Sequence, residues 1–179
     1  MNVKYVDVGS LSLNFYPKPT DQYLGAQVVS LVSIFRPSRS DEEQGCKDLG
    51  SFARATRNRN LKINIIGSQV SAERAKLERS FYDKAFANQP FELLARSSTR
   101  SSYEKLSNSS IFIVDQSTLG YEALSIGLRV GFVSFQPPFR LTDRFGLPLE
   151  FGEKGPFWTN DPSEEEIGRI LDYLLTVSD

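Results

Sequence analysis

No histidine occurs anywhere in the chain, and cysteine appears once, at position 46. The first absence removes a histidine base, a Ser-His-Asp triad and most zinc sites from whatever this chain does by itself. The second excludes an intrachain disulfide, and the natural setting for such a chain is a reducing one. Long hydrophobic runs are missing as well. Residues 26–35 form the longest candidate, but Gln27, Ser30 and Ser33 interrupt it, and it falls short of the roughly 20 residues that cross a bilayer. The opening residues Met1-Asn2-Val3-Lys4 have no apolar core of the kind a secretory signal needs. These features predict a cytoplasmic protein with no transmembrane segment, either free or resting on the inner face of the membrane. Charge of one sign is also lacking: 21 basic residues face 22 acidic ones. The domain as a whole then has no field to gather nucleic acid, and any anion must be held by a local site.

What is present is ordinary in amount and informative in order. The 179 residues are 40% hydrophobic and 24% charged, which suits one globular domain with a single core. Short apolar runs recur at 28–35, 61–66, 91–95, 111–114 and 130–134, the first of them rich in β-branched residues, and each is read as a strand. Helical patterns separate them. One runs from an N-cap-like Ser40 to about Arg57, although Gly45 and Gly50 weaken it. Another covers 71–87, with an apolar stripe of Ala75, Leu77, Phe81, Ala85 and Phe86 and with Glu73, Arg74, Lys76, Glu78 and Arg79 on the outer face. Shorter ones lie near 103–106 and over 118–126, the latter stopped by Gly127. After a long loop a last amphipathic helix spans 162–175, with Asp161 as its N-cap and Pro162 as its first residue. Strands alternating with helices predict a Rossmann-like three-layer α/β/α fold around a mainly parallel sheet of five to six strands. Residues 26–179 would form this domain. Residues 1–25, with a possible strand at 4–8 and then Pro17 and Pro19, would be a linker or entry segment.

In such a sheet a ligand binds beyond the C-terminal strand ends, where strand order reverses. The loops expected there carry Arg36, Arg39, Arg96, Arg100 and Arg140 with many Ser and Thr, and a single acid. Local positive charge on a neutral domain suits an anionic ligand such as a nucleoside diphosphate; arginines and serines are also common in any surface loop. The sharpest segment is Asp115-Gln116-Ser117-Thr118-Leu119-Gly120-Tyr121-Glu122-Ala123-Leu124-Ser125-Ile126-Gly127. A strand ends there, small hydroxyl residues open a helix, and the unpaired amides of a helix start suit a phosphate. Glu122 falls about one turn in, where a carboxylate can accept both hydroxyls of a ribose, or can simply complement the helix dipole.

This segment, with the strand Val130-Gly131-Phe132-Val133-Ser134 after it, resembles the donor-site motif of GT-B glycosyltransferases, in the version found in bacterial surface-polysaccharide biosynthesis. Phe151-Gly152-Glu153-Lys154-Gly155-Pro156-Phe157-Trp158-Thr159 is similar to the same group. The resemblance covers residue 25 to the C-terminus. It implies a nucleotide-sugar-binding domain in which Asp115, Ser117 and Thr118 belong to the donor turn and the two hydroxyls meet the phosphates. Gly120 would permit close approach, Glu122 would bind ribose, Arg36 would face the diphosphate, and Gly67, Arg96 and Ser97 would border the base. It implies metal-independent chemistry, and no Asp-x-Asp metal motif is present. No cofactor is expected beyond the nucleotide-sugar donor, which is a substrate. A glycan acceptor completes the reaction. An N-terminal domain or a separate subunit would supply the acceptor site and base, so the chain alone is expected to be inactive.

The alternatives are a non-catalytic nucleotide or nucleotide-sugar module, or half of an epimerase-like enzyme of the same plan. Cys46 reads as a small packing residue rather than a nucleophile. Residues 135–140 read as a proline-stiffened connection or a lip of the sugar pocket. Phe151, Phe157 and Trp158 read as packing for the last helix or as sugar-stacking rings. Arg54, Arg57 and Arg59 read as charges at a helix end, with nucleic-acid binding the weaker account.

Overall fold

The protein is described by a computed structural model covering residues 27–36, 42–87, 89–98, 101–115, 117–135 and 152–177. The expected strand at 4–8, the 1–25 entry segment, Arg39, Ser40, Arg100, Gln116, residues 136–140 and Phe151 lie outside them.

Ile111, Phe112, Ile113 and Val114 are all buried, yet they divide between two cores. Successive strand side chains point to opposite faces, so an unbroken apolar run needs cover on both sides. On one face Ile111 and Ile113 join Val29, Leu31, Ile63, Ile65 and Val133. On the other, Phe112 and Val114 join Ile66, Val130 and Phe132. The strands are β1 (Val28–Val32), β2 (Lys62–Ile66), β3 (Phe91–Leu94), β4 (Ile111–Val114) and β5 (Arg129–Val133), followed by the short β6 (Lys154–Gly155) and β7 (Trp158–Thr159). They form one sheet in the order β3-β2-β1-β4-β5-β7-β6, parallel except for β6 against β7.

Five α-helices among the described residues cover the sheet: α1 (Glu42–Arg57), α2 (Ala72–Phe86), α3 (Ser101–Glu104), α4 (Thr118–Ser125) and α5 (Glu164–Thr176), with a 3-10 turn at Lys105–Asn108. α1 lies between α2 and α5 over the first core, and α4 packs on the second. This is the mixed α/β, Rossmann-like three-layer architecture that the alternation of strands and helices predicts. The chain moves from β1 outward through β2 to β3, then returns to place β4 on the other side of β1. Right-handed crossovers put helices on opposite faces when the direction of travel reverses, and the two cores follow from that rule.

The structure departs from the sequence reading at four points. The expected long loop contains the β6–β7 hairpin, tied to the sheet by Phe132 N donating to Phe157 O (2.8 Å) and Ser134 N to Thr159 O (3.1 Å). Two-residue strands carry too little pattern to be read from periodicity. The last helix is capped by Ser163, whose Oγ accepts from Glu166 N, while Asp161 accepts from both the amide and the hydroxyl of Ser163. Pro162 therefore precedes the cap rather than opening the helix.

Trp158 packs not under α5 but in the α4-side core, beside Phe157 at 5.1 Å between ring centres. Finally, α2 is turned from the expected stripe: Leu77 is 53% exposed and Glu78 is completely buried. The buried set, Glu78, Phe81, Tyr82, Ala85 and Phe86, is itself spaced i, i+3, i+4, i+7, i+8. Four apolar positions on that face outweigh the single leucine off it.

Candidate functional site

The sheet reverses direction between β1 and β4, and a cleft of about 500 Å³ opens there at the C-terminal strand ends. That volume lies within the range of small-molecule sites, and the place is where ligands bind open α/β sheets. The register brings the loops level: Val32 pairs with Ile66, Ile66 with Leu94, and Leu31 with Ile113. Ladder bonds continue one step beyond the strands, with Ser33 N donating to Ile66 O (3.0 Å) and Gly67 N to Leu94 O (3.0 Å). Val32, Ile66 and Leu119 give the cleft an apolar floor.

Of the residues singled out by sequence, Arg36, Gly67, Arg96, Ser117, Thr118 and Glu122 line this one cleft, although they come from three separate loops and from α4 with its cap. Arg36 is exposed and uses one N–H on its neighbour's carbonyl, Phe35 O, at 3.0 Å. Arg96 is half-buried and donates from Nε to Ser98 O at 3.1 Å. Each guanidinium keeps further donors on its planar fork. Glu122, half-buried on α4, is the one acidic side chain that lines the cleft among the described residues.

Ser117 is the N-cap of α4, its Oγ accepting from Leu119 N at 3.3 Å, and Gly120 N donates to Ser117 O at 3.1 Å. Two of the amides at this helix start are thus already engaged. The positive end of α4 still faces the cleft beside Thr118.

Three of the expected residues stand elsewhere. Asp115 is buried at the end of β4 and does not line the cleft. Ser97 is exposed, and its amide donates to Ser101 Oγ (3.1 Å) within a serine-linked turn: Ser98 N also donates to Ser101 Oγ, and Ser101 N donates to Ser98 Oγ. Gly120 faces the sheet. A Cβ there would stand 3.0 Å from both Phe132 and Val114, so its missing side chain serves close packing of α4 on β4 and β5.

Other residues enter the site without having been singled out. Ser33, Ser68, Gln69, Ser102 and Tyr103 line the cleft. Behind them Tyr82 donates to Ser33 Oγ at 3.0 Å and accepts from Ile34 N at 2.9 Å, and burial pushes its phenol well above its ordinary value. Lys105 donates from Nζ to Leu94 O (3.2 Å) and to Ala95 O, closing the end of β3 beside Arg96; burial lowers its ammonium. No motif marks these residues, because their positions depend on which strands lie side by side. Among the described residues no group of three or more acidic or cysteine side chains is placed to hold a metal ion. A second groove, about 640 Å³ between α1 and α5, is lined by charged residues, most of which are held in ion pairs: Arg59 with Asp172, Glu164 with Arg54 and Arg169 with Glu166.

With this geometry in view, the model of a family described as "putative O-antigen biosynthesis protein" matches residues 47–179. The chain belongs to that family. The match includes β2 to α5 and every cleft residue except those at the end of β1. No curated protein matches the chain. That membership fits surface-polysaccharide biosynthesis. No helix among the described residues is long and apolar enough to cross a membrane.

Proposed function

We propose that this member of the family binds a nucleotide sugar in the β1–β4 cleft and acts as the donor-binding domain of a GT-B-type glycosyltransferase. One observation carries the reading: two arginines, two hydroxyl residues at a helix start and one carboxylate converge from separate parts of the chain on the switch point of the sheet. Arg36 and the Ser117–Thr118 turn would meet the diphosphate, Glu122 the ribose hydroxyls, and Gly67 with Arg96 the base. Membership of an O-antigen family supports a sugar donor over a bare nucleotide.

In the transfer, an acceptor hydroxyl oxygen bonds to the anomeric carbon as the bond from that carbon to the diphosphate oxygen breaks. The electron pair leaves with the diphosphate, and the hydroxyl proton passes to a base. Guanidinium groups and a helix N-terminus aimed at the departing oxygens lower the barrier, because charge develops there as the bond breaks.

The test is a thermal-shift screen of nucleosides, nucleoside diphosphates and nucleotide sugars. A true ligand at about 100 times its dissociation constant adds roughly 2.7 kcal/mol of stability. Arg36→Ala should then lose affinity for nucleoside diphosphates by about tenfold or more, with little loss for nucleosides, as expected of a charged hydrogen bond to phosphate. No shift with any nucleotide, or equal losses for both ligand classes, would sink the assignment.

A further inference from the structure

The corner of the cleft formed by the ends of β1 and β2 is built around a carboxylate that the ligand contacts do not use. Glu78 is completely buried on α2. Its carboxylate accepts from Ser33 Oγ (2.5 Å), from Ser68 N and Ser68 Oγ (2.9 Å each) and, at the long end, from Gln69 N (3.4 Å). Ser33 follows β1, and residues 68–69 follow β2. One side chain therefore ties together the ends of two neighbouring strands, both of which line the cleft.

The hold extends outward, since Gln69 Nε2 donates to the same Ser68 Oγ at 2.8 Å. It also leaves no slack. A Cβ on Gly67 would stand 3.2 Å from Glu78 Oε2 and 3.2 Å from Leu94 O, so only glycine fits comfortably between the carboxylate and β3. A buried anion persists where several donors converge on it: Oε1 accepts from both serine hydroxyls and from Ser68 N, and Oε2 accepts from Gln69 N.

The charge of this group matters as much as its bonds. The amides of residues 68 and 69 are the kind of donor pair that would suit a phosphate, and a resident carboxylate already occupies them. A ligand anion would thereby be turned away from this corner and toward Arg36 and the start of α4. What remains here is room for the uncharged part of the ligand.

We propose that Glu78 is a positioning residue. It sets the shape of the 67–69 rim so that the rim receives the base, and it fixes which end of the cleft takes the diphosphate. The proposal rests on reading the cleft as a nucleotide site.

The test compares the wild type with Glu78→Gln, which removes the charge and one of the two acceptor oxygens and sets an amide NH2 against at least one of the four donors, and with Ile170→Val, a control in the core under α5. Without ligand, hydrogen exchange at the amides of Ser68 and Gln69 should quicken by about tenfold in Glu78→Gln and stay unchanged in Ile170→Val. With ligand, Glu78→Gln should weaken the nucleoside by about tenfold and the nucleoside diphosphate by clearly less, because the corner no longer repels an anion. That pattern differs from Arg36→Ala, and Ile170→Val should weaken neither.

If affinity simply follows melting temperature in both variants, Glu78 is structural only and the proposal is wrong. Unchanged exchange at 68 and 69 overturns it without reference to any ligand. A wild type that binds no nucleotide sinks the reading of the cleft instead. Should Glu78→Gln fail to fold, Ser68→Ala removes one of the same hydrogen bonds from a half-exposed loop and gives the same readouts.

Discussion

Glu122 and Asp48 show how differently one kind of group behaves in two settings. Glu122 lines the cleft, half-buried, where ribose hydroxyls would donate to it. Glu122→Ala should weaken nucleotide binding by roughly 1–3 kcal/mol, measured by calorimetry, and unchanged affinity would remove the ribose role. Asp48 sits inside α1, 5% exposed, with Gln44 Nε2 donating to one oxygen at 2.7 Å. Burial raises its carboxyl above the ordinary 3.8, against the lowering effect of the Gln44 bond. A folded-state value above the unfolded one means stability that is fully present below 3.8 and is lost as pH rises through the folded value. Near neutrality the buried charge is a cost. Asp48→Asn keeps the acceptor for Gln44 and should raise the melting temperature at pH 7, with the gain disappearing in acid. A lower melting temperature at pH 7 would contradict this.

Elements meet the cleft through their packing, and α4 is the clearest case. Ser117 caps it, Leu119 and Ala123 bury its inner face, and Gly127 stops it at φ +86°. Because a Cβ on Gly120 would stand 3.0 Å from the tightly packed side chains of Phe132 and Val114, Gly120→Ala requires these side chains or the helix to give by a few tenths of an ångström. Overpacking of this kind costs about 1–3 kcal/mol. A shift of the helix would carry Thr118 and Glu122 with it, so Gly120→Ala should lower both the unfolding free energy and nucleotide affinity. Normal binding in a destabilised Gly120→Ala would separate packing from the site. The same logic explains the turn of α2. Leu77 looked like a core residue in isolation, but the face that reaches the sheet is set by Phe81, Tyr82, Ala85 and Phe86, and that rotation carries Glu78 inward.

Over the whole molecule, α5 is fastened to its surroundings by ion pairs that respond to acid. Glu166 accepts from Lys154 Nζ at 2.8 Å and from Arg169 at 3.0 Å, which clamps the β6–β7 hairpin to the helix. The Lys154 bond, with help from Arg169, holds its carboxyl below the usual 4.5 in spite of burial. Arg59 likewise lowers Asp172 below 3.8, across a 2.6 Å pair at the more exposed end of α5. Lowered folded-state values mean stability that is present above 4.5 and 3.8 and is lost as pH falls through the folded values. Glu166→Gln should therefore destabilise the protein at pH 7 and flatten the loss of stability on acidification, followed by urea unfolding from pH 7 to pH 3. An unaltered acid limb would show that the clamp carries no such linkage.

The sequence alone determined the layers and the main address of the cleft. Apolar runs of strand length, separated by helical periods, allow few arrangements other than a covered parallel sheet, and the Ser117–Glu122 turn announces itself by caps and glycine. These are local signals, fixed by neighbours within a few residues. Tertiary structure decided the rest: the place of β4 beside β1, the gathering of Arg36, Gly67 and Arg96 around α4, the packing role of Gly120 and the inward turn of Glu78. Such features depend on contacts between residues far apart in the chain, and a burial choice on one helix face follows the summed apolar area rather than any single residue.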